Sequence, residues 1–136
     1  MLKEQKTGAF VIALGNADIL LVQRKDPPFK GSWSPPGGSC RWGENPKVAA
    51  VRETREETGQ IVRTISLLDV MDFKEENSHY IAIFYEASPT KANARAKVVV
   101  GEDVMDAKWI SLSDLHKLYV PEFLFSLLKL VGRKTL

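Results

Sequence analysis

The chain has a single cysteine, Cys40, and two histidines, His79 and His116, among its 136 residues. One thiol cannot close an internal disulfide or build a cysteine-rich zinc site, and two imidazoles cannot furnish a three-histidine metal site. Long hydrophobic runs are missing too. The apolar stretch from Ala9 to Leu14 falls well short of the ~18 residues of a membrane span, and behind the charged start Met1–Thr7 it is too short for a signal peptide. Charge of one sign is scarce: 19 Lys and Arg against 17 Asp and Glu leave a formal +2, too little to make nucleic acid the expected partner. No repeat, low-complexity tract or linker divides the chain. The expectation is a soluble, cytoplasmic protein with no membrane or nucleic-acid partner, folded as one domain over residues 1–136. Its 44% hydrophobic and 26% charged residues suit an ordinary core and surface.

Two aliphatic runs, Ala9–Leu14 and Asp18–Gln23, flank Gly15-Asn16-Ala17 and read as a hairpin. From Arg24 to Gly38, the prolines and glycines of Asp26-Pro27-Pro28, Gly31, Pro35-Pro36 and Gly37-Gly38 break regular structure, and this stretch also carries Phe29 and Trp33. A stiff loop with aromatics is a common setting for binding residues. Asn45 as N-cap, Pro46 in the first turn and Gly59 as terminator frame a helix. Strands are expected over Ile61–Phe73 and His79–Glu86, separated by a polar turn at Lys74–Ser78. A loop follows over Pro89–Ala96, then a short strand at Met105–Ile110 and a small helix capped by Ser113. A last amphipathic helix opens at Pro121, carries Phe123, Leu124, Leu127, Leu128 and Val131, and closes at Gly132. Strands and helices mix without βαβ alternation, which gives α+β: a mixed sheet sandwiched between helices.

On the first helix, with Glu53 as zero and ~100° per residue, Glu56 falls at about −60° and Glu57 at about +40°, so three carboxylates share a face. Ala49 and Ala50 leave that face free of bulk one turn earlier. Val48 and Val51 fall on the far side, where they are expected to meet the core. Two readings stay open on these residues alone. One is a solvated face whose repulsion is relieved by Arg52, Arg55 and water. The other is a divalent-cation site, for which oxygen-only ligands select hard ions such as Mg²⁺ or Mn²⁺.

The flanking spacing strongly favours the second. From Gly38 the chain runs Gly-x5-Glu44-x7-Arg52-Glu53-Thr54-x-Glu56-Glu57-x-Gly59. Seven fixed residues at average usage match a given register about once in 10⁸ to 10⁹ trials. This is the Nudix box, and the chain resembles the Nudix hydrolase family. Two positions depart from the pattern: Thr54 replaces an aliphatic residue, and Gln60 follows Gly59, with Ile61 next to it able to supply the apolar contact. Outside the box, Leu20–Lys25, Trp33–Gly38, the strand start at His79-Tyr80 and Gly101–Leu112 resemble the ADP-ribose pyrophosphatases. The likeness extends from about Thr7 to Lys117, although the region Phe73–Ser78 lacks the proline found in some of those enzymes.

The resemblance implies a Nudix-type fold and a pyrophosphohydrolase acting on a small nucleotide, with Mg²⁺ or Mn²⁺ as cofactor and ADP-ribose as the expected substrate. A nucleoside-triphosphate pyrophosphohydrolase is the alternative within the enzyme class, and a non-catalytic nucleotide sensor the alternative outside it. A homodimer is left open. Carried onto these residues, Glu53, Glu56 and Glu57 are implied metal ligands, helped by a carbonyl of Gly37 or Gly38. Arg52 orients a glutamate, and Glu44 braces the loop. An acidic residue after the box is the implied general base: Glu102 first, with Asp103 next to it and the box residues Glu56 and Glu57 as alternatives. Arg24, Trp33 and Gly38 are the candidate substrate contacts, and Phe29 is a second candidate for stacking on a base. His79 is expected to bond at a strand end, Cys40 to be a small buried side chain, Trp109 to be core, and Lys91, Arg95 and Lys97 to be solvated.

Overall fold

The computed structural model of the chain describes residues 3–90 and 96–131. The aliphatic runs form β1 (Glu4–Ala13) and β2 (Asp18–Arg24), and the Gly15 amide donates to the Asp18 carbonyl at the turn between them. They do not make the expected hairpin. After a single bridge, Leu14 to Ile19, they diverge into different sheets. The remaining strands are β3 (Trp33–Ser34), β4 (Gly37–Ser39), β5 (Val62–Glu75), β6 (Ser78–Pro89) and β7 (Val104–Ser111). A four-stranded sheet runs β4-β1-β6-β5 and a three-stranded sheet runs β3-β2-β7. The reason lies in the runs themselves. Val11, Ile12, Ala13, Ile19, Leu20 and Leu21 are all fully buried, so each strand needs cover on both faces and sits at the centre of its own sheet, not paired at an edge.

β1 and β6 pair in parallel from Glu4 with Ser78 to Ala13 with Ala87. β5 and β6 form a long antiparallel ladder whose last pair is Glu75 with Ser78, a tighter turn than Lys74–Ser78. Helix α1 (Pro46–Thr58) has the expected ends: Asn45 accepts from the Lys47 amide, and Gly59 closes it at φ 72°. Its buried side is not the expected one. Ala49, Ala50, Thr54, Glu57 and Thr58 face inward, Val48 is 57% exposed and Val51 is only partly buried. The small side chains let α1 lie close on Ala9, Val11 and Ala13 of β1. Thr54 and Thr58 satisfy their hydroxyls on carbonyls one turn back, each at 2.7 Å, so the polar substitution within the box is absorbed inside the helix. Gln60, not Ile61, takes the buried position after Gly59, with its amide on the Ala96 carbonyl at 2.6 Å.

On the opposite face of the four-stranded sheet, Ile12 and Phe84 pack with Leu124 and Leu127 of α2 (Glu122–Val131). The sheet therefore lies between α1 and α2, as expected of the α+β class. The small helix is a 3₁₀ turn over Leu112–Lys117 with Ser111, not Ser113, at its N-terminus. Lys91 and Arg95, most of the loop expected over Pro89–Ala96, and the Gly132 terminator lie outside the described residues.

Candidate active site

The short strand β4 carries the first half of the site. Gly37 and Gly38 pair with Phe10 and Ala9 of β1. At Gly37, φ is 152° and a Cβ would collide with the Ala9 carbonyl; at Gly38 a Cβ would stand 2.6 Å from the carboxyl carbon of Glu53. Gly37 needs glycine because its backbone is left-handed and β1 lies against it, and Gly38 because α1 lays the Glu53 carboxylate directly against the strand.

Those carboxylates, which share one face in a helical projection, are graded by burial. Glu57 is 8% exposed, and its Oε1 accepts the Gly37 amide at 2.9 Å. Burial pushes its carboxyl up to about 8, with the charges of Glu53 and Asp103 adding to the effect and the Gly37 bond and Arg24 opposing it. Glu53 is likewise raised by burial, against the pull of Arg52. Glu56 is the outermost, its side chain about half exposed.

Arg52 ties these parts together. Its Nε and Nη2 donate to the two Glu44 oxygens at 2.8 and 2.9 Å. Nη1 reaches Glu53 at 3.0 Å and both Glu56 oxygens at 3.3 Å, and Nη2 also reaches the Ser39 carbonyl at 3.2 Å. Glu44 accepts the Arg41 amide as well, and these bonds, led by that of Arg52, hold its carboxyl down at about 2. One guanidinium thus joins β4, the loop before α1 and α1 itself, a task suited to its planar fork of donors.

Next to these groups lies a cavity of about 640 Å³, within the usual range for a small-molecule site. Two kinds of side chain line it. The first set is charged and includes Glu53, Glu57, Asp103, Arg24 and Lys25, next to Gly37 and Gly38. The second is aromatic: Phe10, Phe29, Phe73, Phe84, Phe123 and Tyr80. Phe29 meets Phe73 and Phe123 edge-on, with centroids 6.0 and 5.6 Å away.

The candidates from sequence divide accordingly. Arg24 is in the wall, its Nε anchored on the Pro28 carbonyl at 2.7 Å. Trp33 is not. It is 7% exposed and packed in the core with Ile12 and Leu21, with the Lys108 ammonium 4.8 Å from its ring centroid. Its place in the β2–β3 ladder opposite Gln23 turns it away from the cavity, which is lined by Phe29 instead. Glu102 is exposed and absent from the wall; its neighbour Asp103 lines it. His79 bonds Asp72 at 2.9 Å and Gln5 at 3.2 Å, as expected at a strand end, and it also lines the cavity. Cys40 and Trp109 are partly buried and Lys97 is exposed. Nothing in the sequence marks Phe10, Phe73, Tyr80, Phe84 or Phe123 as site residues; Phe123 stands out only as one apolar position of an amphipathic helix.

Among the described residues, no three His, Cys, Asp or Glu side chains stand close enough to share one ion; Arg52 lies on Glu53 and Glu56, and Glu57 is turned onto Gly37. The donor chemistry nonetheless fits a hard cation. Two carboxyls desolvated side by side, with a third acid facing them, are an arrangement that an added positive charge stabilises. No helix among the described residues is long and apolar enough to cross a membrane.

The NUDIX domain profile matches residues 4–131, and the chain belongs to the Nudix family. It is 37% identical over 102 residues to an ADP-ribose pyrophosphatase of Methanocaldococcus jannaschii, covering 74% of this chain and 58% of that protein. Over 113 residues it is 29% identical to the asymmetrical bis(5'-nucleosyl)-tetraphosphatase of Caenorhabditis elegans, covering 76% of this chain and 75% of that one. The crystal structure of a MutT NUDIX hydrolase from Burkholderia pseudomallei superposes with a TM-score of 0.79 at 27% identity, covering 95% of this chain and 99% of that one.

Proposed function

We propose that the chain hydrolyses the phosphoanhydride of a nucleoside diphosphate linked to another moiety, and that ADP-ribose is cleaved to AMP and ribose 5-phosphate. The observation that carries this reading is the meeting, in one cavity, of a desolvated acidic cluster, Arg24 and a wall of aromatic rings. The first suits a cation bound to pyrophosphate, the second a phosphate oxygen, the third the face of a nucleobase. The choice of ADP-ribose is supported by the likeness to the M. jannaschii enzyme.

Nudix hydrolases generally need a divalent cation, and Mg²⁺ or Mn²⁺ matches an all-oxygen donor set. Glu53, Glu56 and Glu57 would hold it, with a carbonyl of Gly37 or Gly38. When bound, such an ion neutralises pyrophosphate charge and makes a coordinated water more acidic. The chain's own residues account for the rest. Arg24 orients the diphosphate, and the aromatic wall holds the base. Asp103 takes the proton from the water whose oxygen attacks phosphorus; the P–O bond to the departing phosphate breaks, and its electron pair leaves with that phosphate. Arg52 fixes Glu53 and Glu56 and needs no contact with substrate. Asp103 replaces Glu102 in this role because it is Asp103 that lines the cavity.

The test is a panel of ADP-ribose, NADH, diadenosine polyphosphates and nucleoside triphosphates, each with Mg²⁺ or Mn²⁺ and with products identified. AMP and ribose 5-phosphate from ADP-ribose are the expected result. Pyrophosphate release from a triphosphate with no turnover of ADP-ribose would replace this reading with the triphosphate one.

A further inference from the structure

We propose that Lys25 is a positioning residue for the general base, an inference that rests on the reading of Asp103 given above. The Lys25 ammonium donates to the backbone carbonyl of Glu102 at 2.6 Å, across 77 residues of sequence. That carbonyl and the Asp103 nitrogen belong to one planar peptide unit. Anchoring the oxygen therefore fixes the plane from which the Asp103 side chain departs.

Little else holds this plane. Ladder pairing of β2 with β7 ends at Arg24 with Val104, after a register shift next to Gln23, so Asp103 lies just beyond the sheet. Two residues before Asp103, Gly101 is fastened to α1. Its amide donates to the Glu57 carbonyl at 3.0 Å, and a Cβ there would stand 2.9 Å from the Glu57 Cα. The turn is thus held to α1 at Gly101 and to the end of β2 at Glu102, and Asp103 follows immediately after both attachments. Lys25 has a firm base from which to act. The neighbouring Arg24 amide donates to the Ser32 carbonyl at 2.9 Å, and the Arg24 carbonyl accepts the Gly31 amide at 2.8 Å. The ammonium takes a neutral carbonyl and not the Asp103 carboxylate, so it steers the turn without neutralising the base.

The experiment measures kcat and KM for ADP-ribose with saturating Mg²⁺ in Lys25→Met, Lys25→Arg, Asp103→Asn and the Lys25→Met/Asp103→Asn double variant. Amide exchange over Gly101–Val104 is followed in the nucleotide-free proteins. A misplaced base costs up to ~100-fold. Lys25→Met should lower kcat by roughly 10- to 100-fold, leave KM within about twofold and speed exchange of the Gly101 amide. Lys25→Arg should recover most of the rate. The double variant should be no slower than Asp103→Asn alone, because the tether has no further effect once the base is gone. A raised KM with unchanged kcat in Lys25→Met would overturn the proposal and make the ammonium a substrate contact. A silent Lys25→Met beside a crippled Asp103→Asn would overturn it while leaving Asp103 as base. A rate for Asp103→Asn within a few-fold of wild type would instead remove the underlying reading, and the assignment of Lys25 with it.

Discussion

The buried carboxyl of Glu57 makes a prediction whose sign and size both follow from its surroundings. In the metal-free protein its pKa rises from the ordinary 4.5 to about 8, chiefly through burial. A raised acid pKa means that the folded state holds its proton more tightly than the unfolded chain does. The stabilisation is fully present below pH 4.5 and is lost as the pH climbs toward about 8. A shift of that size corresponds to roughly 5 kcal/mol, a large share of the stability of a typical domain. Glu57→Gln keeps an oxygen for the Gly37 amide but cannot ionise. The measurement is thermal unfolding of both proteins, metal-free, between pH 5 and 9. The wild type should lose stability relative to Glu57→Gln as pH rises, and Mg²⁺ should restore it in the wild type alone. Between pH 5 and 8, Mg²⁺ affinity should rise by up to tenfold per pH unit, because binding expels one proton. Parallel stability curves for the two proteins would show that the site is already ionised or hydrated in the apo state, and would refute the reasoning.

Arg52→Lys keeps the charge but loses the two-pronged grip on Glu44; unfolding should show a loss of about 2–3 kcal/mol, with kcat lowered as Glu53 and Glu56 are freed. Trp33→Leu should destabilise by roughly 2–4 kcal/mol with kcat/KM of the folded enzyme nearly unchanged, whereas Phe29→Leu should raise KM severalfold with little effect on unfolding; a reversal of the two would return Trp33 to the site. Gly38→Ala should displace the Glu53 carboxylate, seen as weaker Mn²⁺ affinity by titration and a rate reduced more than tenfold.

What the sequence made legible was mainly local. The ends of α1 follow from Asn45, Pro46 and Gly59, each acting through its own backbone, and the spacing of the box put Glu53, Glu56 and Glu57 on one helix. The angular projection fixes side chains relative to one another but not to the protein, so it could not tell that Ala49 and Ala50, not Val48, face the sheet. The β1–β2 hairpin failed for a different reason. The true partner of β1 is β6, and nothing near Leu14 announces a parallel strand that far along the chain. In two places the choice lies between neighbours. Phe29 and Trp33 share one loop, and Glu102 and Asp103 share one turn, yet only Phe29 and Asp103 reach the cavity. Which side chain points inward is set by ladder pairing and by contacts such as Lys25 with Glu102, information that composition and spacing do not contain. The aromatic wall joins β1, the loop after β2, β5, β6 and α2, and exists only after folding.

The most direct test of the central claim is the fate of ADP-ribose with the purified protein, followed by product separation with Mg²⁺ present, then with excess chelator, then with Mg²⁺ restored. AMP and ribose 5-phosphate should appear in equal amounts, cease with chelator and return with the ion. Undiminished turnover in excess chelator, or no cleavage with either Mg²⁺ or Mn²⁺, would contradict it.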